Sequence, residues 1–483
     1  MDARRQVAAA ILLLACWLLP FHAMPVGANP RQALQDGIVS VRRNERTFLI
    51  LTDIHFDPFT GTDPRGVEAL ASNPVEKWPG ILESHAGRDL PAPPATPAAR
   101  SDTNYALLVS ALEAARGTGT PYDYVLVTGD YLGHDFEKKY REFMLDSHGY
   151  QNFVIKTMVF VNRMIQQSFP DVPIVGALGN NDSIVGDYAA PGEPLLAALS
   201  KEWKIVAENP DAARDFRQGG YYALPHPTVP GQEFLVLNTT LWSRLYTGGT
   251  SPGNSDAGAL EMHWLISRLD DLRARGHTAA LIMHLPPGID AYASSKSGKC
   301  STPVAFWKKP YLDEFVAAIE GHKDSLRDGY AGHTHINDFR VLSDAAGTPY
   351  FATNIAPSMS PDSHNPEFEI GVYNTVSGAL VDYAVLYLKN FAGSAFPAKP
   401  DWEKAYVFRQ LSGFPSYSPA SLRTISLLVR SNELVRSKLL DLFATHMSAA
   451  ISLSAKDWRP YSCAQTEITP GAFVACSCPS AAQ

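Results

Sequence analysis

The sequence predicts an α/β fold, and three observations carry that prediction. Short apolar, β-branched runs recur along the chain, and several end in a polar residue able to do chemistry. Between them lie longer segments whose apolar residues recur at three- and four-residue spacing, the period of a helix with one buried face. The chain has 483 residues, 45% of them apolar and 10% aromatic, which is enough to bury the large core that alternating layers of strand and helix require.

In order, RTFLILTDIH (46–55) reads as a strand running into Asp53 and His55. TNYALLVSALEAAR (103–116) reads as a helix that stops near Gly117. YDYVLVTGD (122–130) is a strand ending at Asp130, and FVIKTMVFVNRMIQQS (153–168) is a helix stopped by Pro170. VPIVGALGNND (172–182) is a strand leading to Asn180. Residues 258–275 form an amphipathic helix closed by Gly276, and TAALIMHLPPG (278–288) is a strand running into His284. YLDEFVAAIEGH (311–322) is helical, and DGYAGHTH (328–335) delivers His333 and His335. FRVLSD (339–344) and ALVDYAVLYL (379–388) are further strands.

DLPAPPATPAAR (89–100) is rich in proline and alanine and reads as a loop. Past about residue 390 the sheet-like pattern stops. SLRTISLLVRSNELVRSKLLDLFATHMSAA (421–450) is strongly helical, with an apolar stripe that reads as core packing in preference to membrane contact. The expected organisation is a leader over 1–28, an α/β domain over 46–390 and a helical, cysteine-containing extension over 391–483.

The net charge of −8 supplies no basic excess to displace counterions from a phosphate backbone, so no nucleic-acid partner is expected. MDARRQ precedes VAAAILLLACWLLPF, an apolar run too short and too early for a spanning helix. Val26 and Ala28 fit the small-x-small rule for cleavage after Ala28. Residues 1–28 therefore read as an export signal and the protein as secreted or periplasmic, without a transmembrane anchor. LLAC, ending at Cys16, resembles a bacterial lipobox, and a lipid tether there is the rival reading. Cleavage near Ala28 is preferred because the apolar run continues past Cys16. Beyond Cys16 the chain has Cys300, Cys463, Cys476 and Cys478. An even number in an exported chain points to disulfides, with three pairings open, in preference to a zinc site.

The polar signals form an ordered set: Asp53-x-His55, Gly129-Asp130, Gly179-Asn180-Asn181-Asp182, His284 and Gly332-His333-x-His335. Each has a structural explanation by itself. Asp53 could cap a helix, Gly129-Asp130 could be a turn, Asn180-Asn181 could fill left-handed turn positions, and His284 could be a satisfied core histidine. All of them in order, each after a buried strand, point to one metal site, because ligands gather at the carboxyl ends of strands in such sheets.

The set resembles the calcineurin-like metallophosphoesterases over most of residues 46–360. TDIHFDPFTG, GDYLGHD, WLISRLDDLRARGHTAALIMHLPPGID, AGHTHINDF and NIAPSMSPDSHNPEF narrow the resemblance to the acid sphingomyelinase and sphingomyelinase-like phosphodiesterase branch. That resemblance implies a β-sandwich flanked by helices (αββα) and two divalent metal ions. One ion would take Asp53, His55 and His335, the other Asn180, His284 and His333, with Asp130 bridging both. Four imidazoles, one amide and two carboxylates suit zinc, with manganese or iron as alternatives. The two divalent charges exceed those of Asp53 and Asp130, so the site favours an anionic substrate such as phosphate. A hydroxide held between the ions would attack in line, and His134 would protonate the leaving oxygen. The resemblance also implies a Cys463–Cys476 disulfide and leaves the pairing of Cys300 and Cys478 open.

Two departures stand out. The family places histidine after the ligand asparagine, where this chain has Asn181, which can hydrogen-bond a phosphoryl oxygen but cannot deliver a proton. Only about seventeen residues, none of them cysteine, separate Ala28 from the first catalytic strand, so no saposin-like lipid-extracting module is expected there. The expected activity is hydrolysis of phosphodiester or phosphoanhydride bonds in a small phosphate ester, nucleotide or phospholipid-type substrate. It tilts towards soluble substrates, and the protein is expected to be a monomer. The alternatives are a phosphomonoesterase of the same superfamily, or a catalytically weak phosphate-ester-binding protein.

Overall fold

The computed structural model describes residues 37–85, 102–144, 149–248, 256–296, 301–361, 364–391, 399–443 and 458–478. The leader, Cys16, the loop 89–100 and Cys300 lie outside the described residues. Among those described, the strands are β1 (Glu45–Leu51), β2 (Val125–Val127), β3 (Ile174–Gly176), β4 (Tyr222–Pro225), β5 (Gln232–Val236) and β6 (Thr278–Ile282). They continue as β7 (Leu326–Ala331), β8 (Asp338–Ser343), β9 (Pro349–Ile355), β10 (Glu367–Asn374), β11 (Leu380–Leu388) and β12 (Trp402–Val407). They make two six-stranded sheets, ordered β12-β11-β10-β1-β2-β3 and β4-β5-β6-β7-β9-β8. In the first, β1, β2 and β3 run parallel; in the second, β5, β6, β7 and β9 do. Buried on both faces, β2, β3 and β6 read as near-continuous apolar runs.

The sheets face each other through an aromatic layer. Phe48 of β1 stacks on Tyr124 with ring centroids 4.7 Å apart and meets Tyr330 of β7 edge-on at 5.6 Å. Tyr124 meets Phe234 of β5 at 5.2 Å. Helices Tyr105–Gly117 and Tyr150–Ser168 pack outside the first sheet, and Ala257–Arg275 and Lys309–Gly321 cover the second through Leu265, Leu269, Phe315 and Ile319. The expected sandwich flanked by helices is the observed architecture. Asn104 and Asp256 cap two of these helices through their side-chain oxygens, and Gly276 closes one in the left-handed region at φ 66°.

Two expectations need correction. The sheet does not stop near residue 390, because β12 pairs antiparallel with β11. Its sequence, WEKAYV, carries two charged residues on an edge strand, which hides it from a search for apolar runs. The helix expected over 421–450 breaks at Asn432, giving Pro419–Ser431 and Glu433–Phe443, while 444–450 lie outside the described residues. The Asn432 side chain accepts from the backbone N–H groups of Leu434 and Val435, so it starts the second helix instead of continuing the first. Leu422, Ile425 and Val429 are buried in the main core, which makes the apolar stripe core packing as expected. The Cys463–Cys476 disulfide is present, and Cys478 is disulfide-bonded as well. No helix among the described residues is long and apolar enough to cross a membrane.

Candidate metal centre

The carboxyl ends of β1, β2, β3, β6 and β7 converge, and the segments following them carry the residues singled out from the sequence. Around one focus lie Asp53, His55 and His335. His55 Nε2 is 3.1 Å from His335 Nε2, Asp53 Oδ1 is 3.3 Å from His335 Nε2 and 3.8 Å from His55 Nε2. Around the other lie Asn180, His284 and His333. His284 Nε2 is 3.1 Å from Asn180 Oδ1, and the His284 and His333 ring centroids are 5.1 Å apart. Asp130 sits between them, its Oδ2 3.2 Å from His284 Nε2 and 3.5 Å from His55 Nε2.

Four of the candidate ligands are held from behind. His55 Nδ1 donates to Leu132 O at 2.9 Å and His284 Nδ1 to Thr128 O at 2.8 Å, which turns both Nε2 atoms inward. Asn180 donates its amide N–H to Asp187 Oδ1 at 2.8 Å, so its carbonyl oxygen faces the site. Asp53 accepts from Thr52 Oγ1 at 2.7 Å and from the His333 backbone N–H at 2.9 Å. Asp182 is buried beneath the centre and accepts from the backbone N–H groups of Tyr131, Leu132 and Gly179, tying the loops after β2 and β3 together.

Eight described non-glycine residues have positive φ, and five of them are Asp53, His55, Asp130, His333 and His335. Left-handed backbone at non-glycine residues costs energy and gathers where function requires it.

The donors fit metal ions. Tetrahedral zinc, with bonds of about 2.0–2.2 Å, sets its donor atoms roughly 3.3–3.6 Å apart, and the separations above straddle that range. Groups Asp130–His284–His333 and Asp53–His55–Asp130 each bring ligand atoms within 4.8 Å of one another. The electrostatics agree. Burial and the neighbouring His134 lower the His55 imidazole to about 4, and burial and His284 lower His333 to about 3, so both rings are neutral and able to ligate. Burial works against the charged form of Asp53 and Asp130, yet the imidazoles beside them hold both carboxyls well below the usual range. The same pairing raises His284 to about 9 against its own burial, because the two carboxylates demand positive charge, a demand a divalent cation meets. The site can hold two divalent metal ions.

His134 lies at the edge of the first focus, stacked on His55 with ring centroids 3.9 Å apart. Sequence reasoning missed what holds it. Asp102 accepts from His134 Nδ1 at 2.6 Å and from its backbone N–H at 2.8 Å. Lys139 then bridges Asp102 at 2.6 Å and Asp57 at 2.7 Å. With Nδ1 committed, Nε2 is the ring nitrogen left to meet a substrate. Asn181 is turned elsewhere: its backbone N–H and its side-chain Nδ2 donate to Asp130 Oδ1 and Oδ2, both at 2.8 Å. Tyr188, also at positive φ, places its hydroxyl 3.4 Å from His333 Nε2. Asp102 and Lys139 carry no motif, since an aspartate before a helix reads as a cap.

No family model matches the chain. Curated relatives do. The chain is 24% identical over 78% of its length to the human acid sphingomyelinase-like phosphodiesterase 3b, covering 80% of that protein. It is 24% identical to the human cyclic GMP-AMP phosphodiesterase, over 85% of this chain and 84% of the relative. Human sphingomyelin phosphodiesterase is 26% identical over 80% of this chain, which spans 57% of that longer protein. Among solved structures, a dimetal phosphatase from Danio rerio superposes with a TM-score of 0.41 at 12% identity, covering 77% of this chain and 99% of its own. The resemblance to acid sphingomyelinase-like phosphodiesterases expected from the motifs is thereby borne out.

Proposed function

We propose that the protein is an exported two-metal hydrolase, zinc-dependent on its donor types, that cleaves phosphodiester or phosphoanhydride bonds of small soluble phosphate esters, nucleotides among them. The observation that carries this reading is the pair of donor clusters joined at Asp130 Oδ2, with an oriented histidine at their rim. Homology to named phosphodiesterases over most of the chain supports the same class of enzyme, a metal-dependent phosphoric ester hydrolase. The expected leader and the Cys463–Cys476 disulfide support export.

Two divalent ions, when bound, would supply Lewis acidity for the phosphoryl oxygens and a nucleophile drawn from water near neutral pH. The chain does the rest. Asp53, His55 and His335 would hold one ion, Asn180, His284 and His333 the other, and Asp130 would serve both. His134 delivers a proton from Nε2 to the departing oxygen. Asp102 fixes the ring and stabilises its charged form, and Lys139 fixes Asp102.

The test couples metal analysis to a panel of p-nitrophenyl phosphate, bis(p-nitrophenyl) phosphate, a nucleoside triphosphate and sphingomyelin vesicles. The expected result is two metals per chain, with the diester or the anhydride turned over best. Exclusive turnover of the monoester would replace this reading with a phosphomonoesterase. Tight binding of phosphate esters with no turnover by the metal-loaded protein would replace it with a binding protein.

A further inference from the structure

We infer that Asn181 is a positioning residue for the carboxylate of Asp130, and through it for the metal pair, and does not donate to the substrate. The inference rests on the two-metal reading and concerns the residue at which this chain departs from the histidine its motif leads one to expect.

Both donors of Asn181 close on one carboxylate. Its backbone N–H donates to Asp130 Oδ1 and its Nδ2 to Asp130 Oδ2, each at 2.8 Å. Oδ2 is also the oxygen 3.2 Å from His284 Nε2 and 3.5 Å from His55 Nε2, the atom placed to reach both ions. Asp130 itself is at φ 54° and is buried to 1% exposure, so neither a relaxed backbone nor water holds its carboxyl plane. The two bonds from Asn181 fix that plane, and the plane decides whether one oxygen can face both ligand sets.

Atom topology shows what the asparagine keeps and what it lacks. In histidine, Nδ1 stands the same number of bonds from Cβ as Nδ2 does in asparagine, so an imidazole at 181 could make the same bond to Asp130. The imidazole would then extend Nε2 outward. Asparagine keeps the strut and ends before that outward nitrogen, which leaves the site with His134 as its proton donor.

Three variants test this: Asn181→Ala, Asn181→Asp and Asn181→His. Metal affinity is read by chelator competition with zinc, and kcat is read at saturating zinc across aryl and alkyl phosphodiesters. Loss of a group that orients a metal ligand typically costs 10–100-fold in metal affinity. Asn181→Ala should lose affinity in that range for the weaker-held ion, with its leaving-group dependence unchanged once zinc saturates. Asn181→Asp should lose more, since it sets a second carboxylate against Asp130. Asn181→His should keep the wild-type affinity. Unchanged zinc affinity in Asn181→Ala would overturn the inference by removing the positioning role, as would a steeper leaving-group dependence at saturating zinc, which would place the amide on the substrate. Wild-type protein that binds no zinc would instead overturn the two-metal reading, so the two failures are told apart.

Discussion

Replacing Asp102 by asparagine isolates the part of the site proposed to move a proton. In the structure its buried carboxylate accepts from His134 Nδ1 at 2.6 Å, from the His134 backbone N–H at 2.8 Å and from Lys139 Nζ at 2.6 Å. An asparagine retains one acceptor oxygen and turns the other position into a donor facing either the imidazole or the ammonium. The bond stabilising the protonated ring is lost or opposed. Hydrogen bonds to charged groups contribute about 1.5–3 kcal/mol, and each ~1.4 kcal/mol is tenfold in rate, so kcat should fall roughly 10–150-fold where the leaving group needs the proton. The assay is kcat across diesters from p-nitrophenol to simple alcohols, with zinc content measured on the same preparations. Alkyl esters should suffer the full loss and aryl esters little of it, with two metals retained. His134→Ala should show the same bias and set its upper limit. An equal loss across the series with metals retained would refute the reasoning, since the dyad would then be structural only.

Asp130→Asn should lose both ions and activity together, whereas Asp53→Asn should weaken one ion, both read by metal analysis after dialysis; two retained metals and normal turnover in Asp130→Asn would remove its bridging role. Serine at Cys463 and Cys476, whose bond spans a separation of 13 residues, should cost about 3 kcal/mol in the chain-entropy account, measured by denaturant unfolding. Stability should fall with rising pH: burial raises Asp328 from its ordinary 3.8 to about 7 and Glu369 from 4.5 to about 8, away from the metal ligands. The folded state keeps protons that the unfolded chain has released, so this stability is complete below about pH 4 and lost by about pH 8, a trend that thermal melts of Asp328→Asn and Glu369→Gln should flatten.

The fold was legible where burial leaves a plain pattern. Strands β2, β3 and β6 are apolar nearly throughout, and β1 is in its second half, because both faces are covered there, and the helices around them keep their period because one face is. Legibility failed at the margins for physical reasons. Strand β12 is an edge, where charge prevents further pairing, so WEKAYV shows no apolar run. The break at Asn432 depends on one side chain choosing to cap, a choice that periodicity does not register.

The candidate metal ligands were legible for a reason that also explains what was not. They follow buried strands, and the strands announce themselves. Their motifs also carry glycine because the ligand loops pack directly on one another: a Cβ at Gly332 would strike Thr52 Oγ1 and Asp53 Oδ2, and one at Gly179 would strike the Asp130 carboxylate. Sequence therefore displays the pairs Gly179-Asn180 and Gly332-His333 as units. Asp102 and Lys139 have no glycine beside them in sequence; the crowded glycine is Gly133, next to His134, where a Cβ would come within 2.9 Å of Asp102 Oδ2. Asp102 reaches His134 because the Thr103 backbone bridges to His55 and Asp57, and Lys139 arrives from the helix Phe136–Met144. Their geometry comes from a contact between distant segments, which no local motif records. The candidate ligands are thus written locally along the chain, while the partners that orient His134 come together only once the loops have met.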